Sequence, residues 1–576
     1  MSNIELANTY FKLPIQQLDD SHTHYIEGKT VDDLELIKIK KNKLDDDVLS
    51  SYQQTFKPTS RMGFLTLPLW SKNYTDDTKF LKESAKFYKN YKSKQNVAQV
   101  DNFLETWNKI KSNTNFREKY YFFNWNFIDF LNKYSSFLQL LSLYNLASPV
   151  LSFIVPILML FLPLLYLRWK GRDITTESYI KTLKEVLKNH ALGLLFTDFK
   201  SLNWQKRIYS MGSFFFFFFN IYQNFLVCLR FRLNMIDIHK FMDSIRSYIT
   251  YTVDQINNMV YYIEPLTTYQ TFKNDVLRQK QILSDFLVRV NEITPFRMTV
   301  QKLTQIGTVM QTFFTFYTDN ILNQSFLYSF GFHGFLNQIE GLQGNLKSKM
   351  ITYCNYSHKK TEFKQLCHPA LCDNKPIRNT VKLNKNMIIT GPNAAGKTTI
   401  IKSTIINLLL SQQIGCGFYE KATIYPYQTI HCYINIPDTS GRDSLFQAEA
   451  RRCKEILDDV YRKPNTRHFC IFDELYSGTN PYEAVASAYG YLDYLIKSKK
   501  CTFILTTHFI NLCKIMNTNK HVKNYHMIVN SENEELKYTY QMKQGISNIK
   551  GGTFVLRQLG YPDEIIKKAI DTLDVL

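Results

Sequence analysis

The chain has 576 residues, which exceeds one ordinary domain and predicts roughly two to four. Apolar residues make up 45% of the chain, so it can bury large cores. The net charge of +20 and pI near 9.2 favour a polyanionic partner, either a nucleic acid or an anionic membrane face, unless the lysines simply solvate the surface.

The cysteine pattern argues against a zinc site. The ten cysteines are scattered without paired C-x-x-C spacing. Cys367 and Cys372 flank His368, but no second ligand pair follows them. We therefore expect free thiols in a reducing compartment. The N-terminal sequence MSNIELANTYFKL contains no apolar signal core.

The first half of the chain changes character at Lys133. Residues 1–133 are polar and helical in pattern, with an extended-looking stretch around 64–70. The next 34 residues carry no charge and include SPVLSFIVPILMLFLPLLYL at 148–167. A second uncharged stretch, 208–229, contains six consecutive phenylalanines. Each stretch is long enough to cross a bilayer, which needs about 20 apolar residues, and the alternative is a buried core helix plus loop.

Insertion of these stretches as a simple hairpin poses a charge problem. Residues 168–207 between them hold nine Lys or Arg against four acids, so a hairpin would push a basic loop across the bilayer. A re-entrant first segment, broken at Pro149, Pro156 and Pro163, avoids this. Residues 231–365 return to long amphipathic helices, which suit a lever or a coiled-coil arm.

A phosphate-binding loop follows. Met387 to Ile389 is a short apolar strand, and the sequence then reads G-x-x-x-x-G-K-T from Gly391 to Thr398. Small residues let backbone N–H groups surround a phosphate, Lys397 reaches the β and γ oxygens, and Thr398 offers a hydroxyl to Mg²⁺. The helix that starts there points its positive end at the same anion. The predicted loop residues are Gly391, Pro392, Asn393, Ala394, Ala395, Gly396, Lys397, Thr398 and Thr399.

Two downstream strands complete the predicted catalytic site. The run HFCIFDELYSGTN at 468–480 contains a buried strand that ends in Asp473 and Glu474. At this sheet edge Asp473 can hold Mg²⁺, and Glu474 can orient and deprotonate the attacking water. The strand CTFILTTH at 501–508 brings His508 to the same edge as a candidate γ-phosphate sensor. A histidine taken alone is more often structural, and the two accompanying motifs favour the functional interpretation.

The order of these motifs resembles the ATPase domain of the MutS family of DNA mismatch-repair and recombination proteins. The motifs are His368-Pro369, TGPNAAGKTT at 390–399, SGRDSLFQAE at 440–449, FDELYSGTNPYEA at 472–484 and TTH at 506–508, followed by the tail at 545–569. The resemblance implies an α/β P-loop ATPase domain of the ABC/MutS type at 366–576 that uses ATP and Mg²⁺.

Upstream the resemblance is weaker. Residues 44–91, with Thr59, Gly63 and Leu81, resemble the start of the MutS helical core, and FGFHGFLNQIEGL at 330–342 resembles the helix that leads into the ATPase. We therefore predict a mostly α lever or core region, with its first part at 1–133, an apolar insertion with candidate membrane segments at 134–230, and long helices at 231–365. We expect no mismatch-reading domain before the core. One extra residue separates Gly441 from Ser444.

The resemblance also implies a composite site in a dimer. Each nucleotide would be bound by one subunit's phosphate loop and completed by Ser444, Phe446 and Glu449 of the partner, with Gly478 and Thr479 in the dimer-contacting loop. ATP binding would close the dimer, and hydrolysis would reopen it and move the long helices. The partner subunit would be a second copy or a related chain.

Two functions stay open at this point. One is a DNA-binding ATPase of MutS type that reads DNA structure instead of mismatches. The other is a membrane-anchored mechanical ATPase of MutS descent without a repair role. Both are intracellular, with the ATPase domain on the cytoplasmic or nuclear side. A transporter ATPase fits less well, because TSGRDSLFQAE differs from LSGGQ and two apolar stretches are too few for a transport path.

Overall fold

The chain forms two compact units in a computed structural model. The structure describes residues 4–39, 49–93, 95–125, 127–171, 175–189, 203–296, 299–373, 376–434, 444–532, 535–547, 556–557 and 559–575. The first unit contains residues 1–97, 255–279 and 327–576, and the second contains residues 98–254 and 280–326. The sequence-based domain boundaries follow chain order, and they stay a prediction.

Helices dominate up to residue 347 of the described chain. The α-helices are Ala7–Tyr10, Gly28–Asp33, Ser51–Phe56, Arg61–Thr66, Thr78–Asn90, Val97–Lys111, Phe116–Lys119, Ser135–Trp169, Thr176–Asn189, Trp204–Ile263, Gln270–Asn291, Val300–Leu303, Ile306–Thr318, Asn320–Lys347, Lys397–Gln413, Leu445–Arg462, Pro481–Lys497, Ile510–Met516 and Asp563–Val575. Short 3-10 helices are Pro14–Gln17, Leu67–Leu69, Asp129–Lys133, Thr267–Tyr269 and Pro369–Leu371.

Most strands lie in the C-terminal part. They are β1 Thr23–Tyr25, β2 Asn73–Thr75, β3 Thr352–Tyr356, β4 Glu362–Leu366, β5 Asn379–Lys382, β6 Asn386–Thr390, β7 Cys416–Gly417, β8 Lys421–Ile424, β9 Thr429–Tyr433, β10 His468–Asp473, β11 Cys501–Thr507, β12 Val522–Glu532 and β13 Glu535–Gln544. A six-stranded sheet has the order β13-β12-β6-β11-β10-β9, and a five-stranded sheet has the order β5-β4-β8-β3-β7. Strand β3 and the first four residues of β4 precede residue 366, so this sheet begins upstream of the predicted ATPase boundary.

Parallel pairing brings the predicted catalytic residues to one edge of the six-stranded sheet. Strand β11 pairs in parallel with β10, where Asp473 faces Thr506, and with β6, where Thr390 faces Thr507. All five residues of β6 are buried, as expected for a central parallel strand covered on both faces. The loops that follow β6, β10 and β11 therefore meet at the carboxyl edge.

The predicted extended stretch at 64–70 is wrong, because the α-helix Arg61–Thr66 and the 3-10 helix Leu67–Leu69 cover residues 64–69. Ser60 caps the helix Arg61–Thr66, and its hydroxyl accepts a hydrogen bond from the Gly63 amide at 3.0 Å. Gly63 packs against the helix Asn320–Lys347, and a Cβ there would lie 2.3 Å from Asn337 Oδ1. Close packing explains why a glycine stands at this position of the segment 44–91, which resembles the MutS helical core.

The helix that follows the phosphate loop, Lys397–Gln413, is anchored at its far end by buried amides. Gln413 Nε2 donates hydrogen bonds to the carbonyl oxygens of Trp70 at 2.6 Å and Asn73 at 2.9 Å. Gln412 Nε2 donates to the Thr75 carbonyl at 3.0 Å. Residues 70–75 of the first unit therefore connect directly to the helix that carries Lys397.

The predicted break at the three prolines is also wrong. A single helix of 35 residues, Ser135–Trp169, runs through Pro149, Pro156 and Pro163 and is about 52 Å long. Each proline lacks the N–H that would donate one backbone hydrogen bond, yet the helix is continuous through all three. The next apolar stretch belongs to a 60-residue helix, Trp204–Ile263, which continues past residue 230 without interruption. By length and composition, Ser135–Pro156 and Trp204–Ile263 are each apolar enough to cross a membrane.

These two helices lie side by side in the second unit. Asn224 Nδ2 donates to Ser152 Oγ at 2.6 Å, and the Cys228 thiol lies 3.5 Å from the Leu146 carbonyl oxygen. Cys228 follows Asn224 along the second helix, whereas its partner Leu146 precedes Ser152 along the first. The two helices are therefore antiparallel. We call the helix Ser135–Trp169 together with residues 204–229 the apolar hairpin.

Candidate nucleotide site

The phosphate loop joins β6 to the helix Lys397–Gln413 through a backbone with two left-handed residues. Gly396 precedes the helix with φ of 93°, a conformation that favours glycine, and Ala394 has φ of 62°. A Cβ at Gly396 would also lie 3.2 Å from a ring carbon of Tyr540. The predicted glycine is therefore required by both backbone conformation and packing.

Lys397 lies at the centre of the site. Its side chain is buried, and Nζ donates hydrogen bonds to the carbonyl oxygens of Gly391 at 3.0 Å and Pro392 at 3.2 Å. Burial lowers the pKa of the ammonium group, while the carboxylates of Glu474 and Asp473 oppose that shift. These two acids thus help to keep a cation at the position where a phosphate anion would need one.

Thr398 and Asp473 form an oxygen-rich pair. The Thr398 hydroxyl donates to Asp473 Oδ2 at 2.8 Å, and the Thr506 hydroxyl donates to Asp473 Oδ1. Hydroxyl and carboxylate oxygens are the ligand types that Mg²⁺ takes in nucleotide sites. The residues at this position therefore fit a magnesium ion, and their role as its ligands stays a prediction.

Glu474 and His508 lie next to this pair. His508 Nε2 is 2.8 Å from Glu474 Oε1, and the same nitrogen is 3.0 Å from Lys397 Nζ. The hydrogen bond from His508, which outweighs the opposing effect of burial, lowers the pKa of Glu474. Glu474 also adopts a left-handed backbone conformation, with φ of 57°, which turns the chain sharply after β10.

The predicted signature residues begin a helix, Leu445–Arg462, that we call the signature helix. Ser444 caps it, with its hydroxyl accepting from the Gln447 amide at 3.3 Å and the Gln447 side chain accepting from the Ser444 amide at 3.0 Å. Ser444 itself is exposed. Residues 441–443 lie outside the described residues, so the geometry of the extra residue is not tested.

Comparisons with known proteins match the same region. Residues 387–576 match the family MutS domain V. This is the ATPase domain of MutS proteins, so the chain carries an ATPase domain.

Several curated proteins are similar to this chain over its C-terminal part. The DNA mismatch repair protein MutS of Persephonella marina is 31% identical over 218 residues, which cover 37% of this chain and 25% of that protein. MutS of Prochlorococcus marinus strain MIT 9312 is 27% identical over 241 residues, covering 40% and 26%. The DNA mismatch repair protein MSH3 of Meyerozyma guilliermondii is 31% identical over 203 residues, covering 34% and 21%. The chain thus spans about a quarter of the length of these relatives.

Within the MutS domain V, the structure gives Glu449 an intrachain contact that the sequence did not predict. Glu449 is 2% exposed, and its carboxylate accepts hydrogen bonds from the Ser477 amide at 3.1 Å, the Ser477 hydroxyl at 2.9 Å and the Gly478 amide at 3.2 Å. A Cβ at Gly478 would lie 2.8 Å from the Leu445 side chain. Glu449 therefore joins the signature helix to the loop after β10, and its predicted role across a dimer stays a prediction.

Phe446 and Thr479 lie near this joint. The Phe446 ring packs against Tyr476 with centroids 5.7 Å apart, and the Thr479 hydroxyl donates to Glu483 at 2.9 Å. In one chain the signature residues contact the loop after β10, whereas the hydrogen bonds described for Lys397 lead to Gly391, Pro392 and His508. No signature residue among those described is hydrogen-bonded to Lys397.

A cavity of about 380 Å³ lies beside the phosphate loop, and sequence reasoning missed most of its lining. It is lined by Gly396, Thr399 and Ile400 of the loop and helix, and by Leu366, Cys367, His368, Leu371, Pro376, Ile377, Asn379, Ser403 and Tyr540. Asn379 Nδ2 donates to the Tyr540 carbonyl at 3.0 Å. Tyr540 lies on β13, far along the chain, and no local motif marks it. Burial lowers the pKa of His368 to about 4, so its ring is neutral at pH 7.

Proposed function

We propose that this chain hydrolyses ATP at the site formed by the phosphate loop, Asp473, Glu474 and His508. In this proposal Lys397 compensates the phosphate charge, and Thr398 and Asp473 hold Mg²⁺. Glu474 orients and deprotonates the attacking water. His508, at the same sheet edge, senses the γ-phosphate. The observation that carries the proposal is the convergence of three side chains, since His508 Nε2 lies 3.0 Å from Lys397 Nζ and 2.8 Å from Glu474 Oε1.

The cavity beside the phosphate loop supplies space for the nucleoside. Its apolar lining and the ring of Tyr540 suit the flat face of a purine, and Thr399 and Ser403 add hydroxyls from the adjoining helix. The cavity adjoins Gly396, so a nucleotide whose phosphates follow the loop would place its base there. This arrangement favours ATP over inorganic polyphosphate as the ligand.

A second copy of the chain, or a related subunit, would complete the site. Ser444 is exposed at the positive end of the 18-residue signature helix, where a backbone anion site can form. Within one chain Ser444 bonds only to Gln447 among the contacts described. Its hydroxyl and the helix end can therefore meet a γ-phosphate held by another subunit's phosphate loop.

A change in the bound nucleotide can be transmitted to the helical region through buried amide side chains of the first unit. Gln412 and Gln413 link the end of the phosphate-loop helix to residues 70–75. Trp70 Nε1 in turn donates to Gln338 Oε1 at 2.8 Å, on the helix Asn320–Lys347. Since buried hydrogen bonds resist stretching, a displacement of Lys397 would be transmitted to this long helix.

We further propose that the moving helices act on DNA, and that recognition follows DNA structure. The relatives are DNA mismatch repair proteins, and the net charge of +20 suits contacts to phosphates. Binding to mismatched, homoduplex and four-way-junction DNA, with and without ATP, tests this function by electrophoretic mobility. Preference for the junction supports structure-directed binding, and Lys397→Ala should abolish any ATP effect. Equal failure on all three substrates at low salt would refute the DNA role.

The apolar hairpin favours a second candidate, a membrane-anchored ATPase. Many large apolar side chains of the hairpin are exposed. They include Val150, Leu151, Phe153, Ile154, Val155, Leu158, Phe161, Leu162, Leu165, Trp169, Ile208, Met211, Phe214, Phe215, Phe216, Phe218, Phe219, Phe225 and Leu229. Exposed apolar patches of this extent are rare on water-soluble surfaces. From the Ser152–Asn224 contact to the hairpin end, each helix extends by about 25–30 Å, close to the thickness of a hydrocarbon core.

Under this second candidate the basic segment 170–203 would lie at the far end of the hairpin. The continuous first helix removes the re-entrant route that would have kept the segment on the starting side. Two arrangements are then possible. The basic loop crosses the bilayer, against the positive-inside tendency, or the hairpin inserts into one face of the bilayer without crossing it. Protease cleavage within 170–203, in sealed vesicles with the ATPase domain outside, would distinguish these two arrangements.

A further inference from the structure

Two histidines and one aspartate meet on the face of the six-stranded sheet that the signature helix covers. His431 and Tyr433 share this face of β9, and His468, Cys470 and Phe472 share it on β10, since alternate residues of a strand point the same way. The signature helix packs there through Cys453, Ile456 and Val460. Asp459 is the neighbour of Val460 on that helix.

The three side chains place one ligand atom each in a small volume. His431 Nε2 is 3.2 Å from His468 Nδ1 and 3.7 Å from Asp459 Oδ2, and all three atoms lie within 4.8 Å of one another. A tetrahedral zinc ion with ligands at about 2.0–2.1 Å separates its ligand atoms by about 3.3 Å. The 3.2 Å and 3.7 Å separations are close to this value, so the set can bind such an ion with a modest shift of the Asp459 side chain.

Hydrogen bonds to the outer atoms orient these ligands. His468 Nε2 is 3.1 Å from the Lys463 carbonyl oxygen and 2.8 Å from the Thr466 hydroxyl. A proton on Nε2 satisfies the carbonyl and leaves the Nδ1 lone pair directed at His431. Asp459 Oδ1 binds Lys463 Nζ at 2.8 Å, which leaves Oδ2 for the cluster.

We propose that His431, His468 and Asp459 bind Zn²⁺ and thereby tie the signature helix to strands β9 and β10. Both histidines are almost fully buried, whereas the Asp459 side chain is 27% exposed and gives an entry path and room for a water as fourth ligand. Strand β10 ends at Asp473, so the ion would fix the signature helix relative to a strand of the ATPase site. No local motif predicts this site, because its ligands lie 28 and 9 residues apart and carry no C-x-x-C pattern.

Metal binding by the full chain tests the proposal independently of ATP hydrolysis. Untagged protein is stripped with a chelator and titrated with Zn²⁺ by calorimetry, and Co²⁺ is then used as a spectroscopic probe of four-coordinate geometry. We expect one tightly bound Zn²⁺ per chain and visible Co²⁺ absorption. Asp459→Asn should weaken Zn²⁺ binding at least about tenfold. His431→Gln should abolish it.

Matched controls separate this site from other ligands. Asp458→Asn changes the neighbouring helix acid, which pairs with Lys454, and should bind Zn²⁺ like the parent. Cys367→Ser tests the thiols of Cys367 and Cys372, whose sulfurs lie 2.7 Å apart, and should also leave binding unchanged. If His431→Gln does not fold, the Asp459→Asn result decides. No stoichiometric Zn²⁺ in the parent, equal affinity in Asp459→Asn, or loss in Cys367→Ser alone would each overturn the proposal.

Discussion

His508 Nε2 lies 2.8 Å from Glu474 Oε1 while it also lies 3.0 Å from Lys397 Nζ. A ring nitrogen donates when it is protonated and accepts when it is not. The same nitrogen therefore cannot donate to the carboxylate and accept from the ammonium at the same time. The histidine therefore links the residue that would contact phosphate to the residue that would activate water. A change in the contact of His508 with Lys397 must therefore alter its contact with Glu474, and the reverse also holds.

The first prediction concerns this link. Because the hydrogen bond from His508 lowers the pKa of Glu474, His508→Ala should raise that pKa toward its usual value of 4.5. A lowered carboxylate pKa contributes stability that is present above the usual value and is lost as pH falls through the folded value. Because Glu474 must also be ionised to take a proton from water, the acid limb of the kcat profile should move to higher pH in His508→Ala. An unchanged acid limb would mean that Glu474 does not govern it.

The second prediction concerns chemistry at the same edge. Glu474→Gln should retain ATP binding and lose about 10²–10⁴-fold in turnover, because the amide cannot take a proton from water. Lys397→Ala should lose nucleotide binding. Fluorescent-nucleotide titration and phosphate release measure the two effects separately. Glu564→Gln, at an exposed acid paired with Lys568, serves as the control and should behave like the parent. Parental turnover in Glu474→Gln would remove its assignment as the base.

Sequence reasoning recovered the residues that share local motifs. The phosphate loop, Asp473, Glu474 and His508 follow strand ends, so the parallel register alone brings them together. It did not find Tyr540, Asn379 or the Glu449 contact to residues 477 and 478, because these depend on pairing between distant segments. Nor did it find the helix at 61–66, which depends on capping by Ser60 more than on apolar pattern.

The third prediction concerns the dimer. Mixing Lys397→Ala chains with Ser444→Arg chains should restore ATPase activity, because mixed dimers combine the intact phosphate loop of the second variant with the intact signature segment of the first. Each variant alone should be inactive. Sedimentation verifies that dimers form, and activity is measured across mixing ratios. A flat response at all ratios would argue that each chain completes its own site.

The fourth prediction concerns the joint between the signature helix and the loop after β10. Glu449→Gln presents an amide group to donors that now meet a carboxylate oxygen, so it should destabilise the fold by about 1.5–3 kcal/mol. The midpoint of thermal unfolding, followed by circular dichroism, should fall. Glu564→Gln again provides an exposed control. If both variants unfold at the parental temperature, the three hydrogen bonds of Glu449 contribute little to stability.

The last prediction concerns the apolar hairpin. A surface built from exposed phenylalanines should insert into lipid, so the full-length chain should float with liposomes and resist extraction at high salt. Phe216→Asp together with Phe219→Asp places two charges on that surface and should reduce flotation strongly, since each charge within the hydrocarbon core costs about 2.5–3.5 kcal/mol. Tyr482→Asp, at an exposed aromatic of the ATPase domain, should leave flotation unchanged. Release of the intact chain by salt or carbonate would instead assign the hairpin surface to a protein partner, and parental flotation by the double variant would place the lipid contact elsewhere.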